Sequence, residues 1–166
     1  VGVITYTLGV AQSDRQAATS YVTPAPSPIS ETPVPTNAPT SEPQKASSKS
    51  TVIENIQAAV QSKNYAAIEG YMVDNVSVLL YATECCGIVS KQKATEQMSY
   101  LNNATPPWDF SPSSATAQKL INADPANFTN RIIGIASSGM VVSFNLNAQN
   151  KIDKIFISAD YKLIAP

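Results

Sequence analysis

Histidine is absent from this chain of 166 residues. With it goes the side chain that most often acts as a general base near neutral pH, and the commonest metal ligand. Cysteine occurs only at the adjacent positions Cys85 and Cys86, which excludes zinc sites built on spaced Cys and His pairs. No metal and no cofactor is expected. Charge is scarce as well, at 14% of residues with a net charge of −1. Lys and Arg form no basic stripe, so nucleic acid is excluded as the main partner, because neutralising phosphates requires such clustering. Long apolar runs are missing too. The opening VGVITYTLGVAQS is apolar over about a dozen residues, short of the roughly 20 that span a bilayer.

What the chain does have is unevenly distributed. Residues 1–20 read as the outer end of a membrane anchor or of a signal peptide's apolar region, with a buried first strand as the plainer alternative. Any contact with a membrane is expected only through this segment. Residues 21–50 hold seven of the twelve prolines, among many Ser and Thr. Too few large apolar residues occur there to offset the entropy of ordering, so a disordered, extended Pro/Ser/Thr linker is expected, reaching on the order of 80 Å. A tethered extracytoplasmic head follows, at residues 51–166.

Within the head, Thr51 and Glu54 have the spacing of a capping box at a helix start. Val52, Ile53, Ile56, Ala59 and Val60 then share one helical face. Asn64 is expected to cap a shorter helix carrying Ile68, Tyr71 and Met72, which Asp74-Asn75 breaks. Val76, Val78 and Leu80 alternate as a strand closed by Cys85-Cys86-Gly87. Ser90 is expected to cap a helix with Ala94, Met98 and Leu101 inward, and Trp108-Asp109-Phe110 to form a short aromatic strand. Leu120 and Ile121 mark a further helix, and Asp124-Pro125 caps another turn. Arg131 to Ile157 holds three apolar, β-branched runs separated by Ser137-Ser138-Gly139 and Asn147–Asn150. Segments joined this tightly are antiparallel neighbours, so a three-stranded meander is predicted. Its outer face, carrying Ser143, Asn145 and Lys154, reads as polar.

This order of elements resembles the nuclear-transport-factor-2-like, or cystatin-like, α+β superfamily of ketosteroid isomerases and polyketide cyclases. The resemblance runs from about Ser50 to Ala165. KNYAAIEGYMVDNVSV, the turn and helix from Gly87 to Leu101, and GMVVSFNLNAQNKIDKIFIS carry it. It implies a cone: a curved antiparallel sheet with the C-terminal meander wrapped on N-terminal helices and a pocket open at one end. Enzymes of that superfamily place Asp, Tyr or His in the pocket. No motif here aligns with their catalytic residues, so none is assigned.

The candidates for a ligand pocket are Tyr71, Tyr81, Tyr100, Trp108, Phe110 and Phe144, whose rings either line a cavity or fill the core. Glu84 and Asp109 are the acids considered beside them, with surface positions as the plainer alternative. Cys85 and Cys86 leave three readings open: one thiol buried and one on the surface, a vicinal disulfide, or an intermolecular or metal role. The expected function is non-catalytic binding of a small apolar ligand or a protein partner. An isomerase- or cyclase-like enzyme using a pocket carboxylate and tyrosine is the alternative. A dimerising module, with a weak homodimer through the outer sheet face, is the third.

Overall fold

The computed structural model describes residues 48–83 and 85–166. The N-terminal segment 1–20, all but the last three residues of the expected linker, and Glu84 lie outside the described residues. Helix α1 (Lys49–Gln61) begins before the expected Thr51, because Ser48 is its N-cap and its hydroxyl accepts from Thr51 N–H. Val52, Ile56, Ala59 and Val60 form the buried stripe of α1. The short α2 (Ala66–Glu69) starts after Tyr65 without a side-chain cap, so Asn64 does not cap it as expected. Gly70 ends α2, and β1 runs through Met72–Leu80. Met72, Asp74 and Asn75 therefore belong to the strand, which the sequence placed only from Val76. The pairing between Met72 and Ser77 is irregular, which accommodates the polar Asp74-Asn75 pair without ending β1.

A hairpin leads from β1 into β2 (Cys86–Ser90), a strand that the sequence reading missed. Ser90 then caps α3 (Lys91–Met98), accepting from Lys93 N–H, and a 3-10 turn follows at Ser99–Asn103. Ala94, Met98 and Leu101 are fully buried, as their spacing predicts. Next come β3 (Trp108–Asp109), α4 (Ala115–Ala123) and α5 (Pro125–Phe128), the last capped by the Asp124 carboxylate. The meander closes the fold as β4 (Ile132–Ala136), β5 (Val141–Leu146) and β6 (Ile152–Ser158), followed by a 3-10 turn at Tyr161–Leu163. Both of its turns fall where the sequence puts them: Gly139 N–H bonds to Ala136 O, and Asn150 N–H to Asn147 O.

The six strands form one curved, unclosed sheet in the order β2-β1-β6-β5-β4-β3. Neighbours are antiparallel except β1 and β6, which run parallel, so the sheet is mixed. One face carries Val142, Phe144, Ile155 and Ile157 against α1 and α3, and this is the main core. The opposite face is a correction to the sequence reading. It is not a polar surface at Ser143, because Ser143 is wholly buried and donates to Asn127 O at 2.7 Å. Here α4, α5 and the C-terminal turn fold over the meander, and Leu120 and Phe128 join Ile133, Val141 and Phe156 in a second core. Phe128 and Phe156 meet edge to face at 5.1 Å. Asn145 and Lys154, at the margin of this cover, are half-buried, and Asn145 donates to Asp153.

Candidate functional site

The pocket candidates are distributed over both cores and the surface. Trp108 and Phe144 are buried in the main core, and Phe110 stacks beside Trp108 at 6.2 Å. Tyr81 packs on Phe156 of the second core at 5.6 Å, on the other side of the sheet. Tyr100 is exposed. Tyr71 faces α1, where its hydroxyl accepts from Asn55 Nδ2 at 2.8 Å. Trp108 and Phe144 belong to the main core, and Phe110 and Tyr71 pack against it. Asp109 is exposed and accepts from Ser111 N–H, so it points away from the buried rings.

Tyr71 lines an open groove of 360 Å³ between α1 and α2, with an alanine floor and Asn55, Ser62 and Asn64 on its rim. Its polar atoms are uncharged amides and hydroxyls. They can orient a ligand by hydrogen bonds. Among the described residues, two buried polar atoms stand without partners, the Tyr65 hydroxyl and Arg131 Nη1. Burial raises the tyrosine pKa. It lowers that of Arg131, an effect opposed by Asp153 and Asp124. Arg131 Nη2 donates to Ala126 O at 2.7 Å, which ties α5 to the start of β4.

The other concentration of unusual residues is the β1–β2 hairpin. Cys85 and Cys86 are bonded to each other as a vicinal disulfide, half-buried at the margin of the main core. Thr83 shapes the turn before them, donating to Leu80 O and accepting from Cys85 N–H. Opposed residues on antiparallel strands share a face, so the pair Ser77–Ile88 puts Leu79 and Ile88 on one side of the sheet. That side is the one covered by α4 and α5 farther along, but at β1–β2 the cover has ended. Leu79 is 36% exposed and Ile88 78% exposed. Among the described strands, β2 has a partner on one side only. Cys86-Gly-Ile-Val-Ser90 carries no charge and no proline, the features that usually blunt such an edge. The β-branched pair Ile88-Val89 after Gly87 is the sequence signal that marks this strand.

No family model matches the chain, and no curated protein does. Among solved structures, it is similar to a DUF4783 family protein from Bacteroides ovatus, with 20% identity over 63% of this chain and 91% of that one, TM-score 0.39. A DUF4783 family protein from Bacteroides uniformis gives 16% identity over 63% and 94%, TM-score 0.43. AusH from Aspergillus nidulans gives 7% identity over 66% and 82%, TM-score 0.35.

Proposed function

We propose that this chain is a non-catalytic binding module of the nuclear-transport-factor-2-like cone type, held outside the cytoplasm, that engages a protein partner along the open β2 edge. The observation that carries the reading is the exposed Ile88 on an uncharged edge strand, with Leu79 beside it on the same face. Unpaired backbone donors and acceptors along β2 supply binding groups to an added strand, and Ile88 supplies an apolar contact. Extracytoplasmic placement is supported by the Pro/Ser/Thr-rich run before the head and by a disulfide of the kind that persists in oxidising compartments.

A photo-crosslinking residue in place of Ile88, in the full chain and its native host, tests this. Crosslinks to another protein from position 88, and none from an equivalent probe at the exposed Lys119 on α4, are expected. Crosslinks equal at both positions, or absent at 88, contradict the reading. Crosslinks only to a second copy turn the edge into a homodimer contact. The small-ligand alternative rests on the groove at Tyr71, and native mass spectrometry of freshly purified protein checks it by looking for a bound small molecule. The isomerase-like alternative needs a desolvated carboxyl beside a tyrosine hydroxyl. Exposed Asp109 does not supply one.

A further inference from the structure

We propose that Cys85–Cys86 is a thiol–disulfide exchange site, reduced by an external dithiol, whose state sets the order of the β1–β2 hairpin and its exposed edge. The inference stands apart from the partner reading, since it concerns the hairpin of the chain alone.

Both cysteines are half-buried rather than enclosed, so a small dithiol can reach them. Their places in the hairpin differ. The Cys85 carbonyl accepts from Leu80 N–H and its N–H donates to Thr83, so Cys85 belongs to the turn. Cys86 is the first residue of β2, in register with Leu79 and packed at the margin of the main core. The ring this bond closes around their shared peptide therefore restricts the backbone where the turn meets the first rung of the edge strand. Breaking it frees that rung and leaves the meander, on the far side of β1, untouched.

One neighbour favours the reduced form. Cys85 Sγ lies 3.8 Å from Gln97 Oε1 on α3. A disulfide sulfur has no proton to donate to that oxygen, whereas a thiol does. Exchange then proceeds with a direction. A thiolate of the dithiol attacks Cys86 Sγ, the Cys85–Cys86 bond breaks, and Cys85 leaves as a thiolate. It takes up a proton and donates it in a hydrogen bond to Gln97. The second thiol of the reductant, as its thiolate, attacks the mixed disulfide and releases Cys86 as a thiolate, which is protonated in turn. Two electrons pass to the pair, and the reductant ends as its own disulfide.

The test uses the full chain and dithiothreitol as the dithiol. As purified under air, native protein is expected to resist iodoacetamide. After dithiothreitol without denaturant it gains two carbamidomethyl groups, by intact mass. Amide NMR signals of residues 79–90 shift on reduction while those of 141–158 hold. Gln97→Leu removes the acceptor, and the equilibrium with dithiothreitol moves about 2- to 10-fold toward the disulfide, from the net worth of one neutral hydrogen bond. Free thiols in the air-oxidised native protein overturn the proposal. So does a bond that dithiothreitol opens only in denaturant, or a set of hairpin signals that reduction leaves in place. A Cys85→Ser/Cys86→Ser variant checks that the shifts come from the pair: added dithiothreitol leaves its spectrum unchanged, and shifts persisting there refute the assignment.

Discussion

Gly139 reverses the chain between β4 and β5 at φ 92°, a backbone that L side chains rarely adopt. A Cβ there would also stand 2.9 Å from the Asp160 carboxylate. Gly139→Ala is expected to cost about 1–2 kcal/mol, seen as a lower urea midpoint with an unchanged slope. Asp74 and Lys91 form an exposed ion pair at 2.9 Å that joins β1 to the start of α3. The hydrogen bond from Lys91, and then its charge, hold the Asp74 carboxyl below its ordinary pKa. A depressed folded pKa gives a contribution that is full above the unfolded pKa and lost as pH falls through the folded one. An NMR titration should find the Asp74 midpoint low in the native chain and back in the ordinary range in Lys91→Met. An unchanged midpoint in that variant would remove Lys91 as the cause.

Among elements, the outcome turns on what covers each face. The meander, the Ser90 cap and the inward row Ala94, Met98 and Leu101 were legible because local chemistry decides them: turn residues, a hydroxyl before a helix, apolar period. The covered outer face was not. Ser143 and Asn145 alternate with apolar residues as a solvated face does, and only the return of α5 across β5 gives Ser143 its acceptor in Asn127. Strand β2 was lost for a related reason, since Cys85-Cys86-Gly87 reads as an end when β1 is considered alone. The aromatic candidates failed to converge because they sit on separate elements: Tyr81 packs on the second core, Tyr100 lies exposed on a 3-10 turn, and Tyr71 bonds to Asn55 on α1. Leu120→Ala, in the second core, is expected to cost about 3–5 kcal/mol by denaturant titration. Ser90→Ala should cost about 1 kcal/mol through the lost bond to Lys93 N–H. Values near zero for Leu120→Ala would mean that α4 does not cover the sheet.

For the molecule as a whole, one sheet is unequally protected. Its middle strands β5 and β6 are packed on both faces, whereas among the described strands β2 is partnered only by β1 and leaves Ile88 in solvent. Ile88→Lys is expected to leave stability within about 0.5 kcal/mol of the native chain, because the side chain is already exposed. The contrast makes β2 the available edge, and binding there depends on it being open. Site-resolved amide hydrogen exchange of the full chain measures this directly. The outward-facing amides of Cys86–Ser90 should exchange orders of magnitude faster than those of Val141–Leu146. Equal protection of the two strands would mean that the edge is already covered, and would contradict the account.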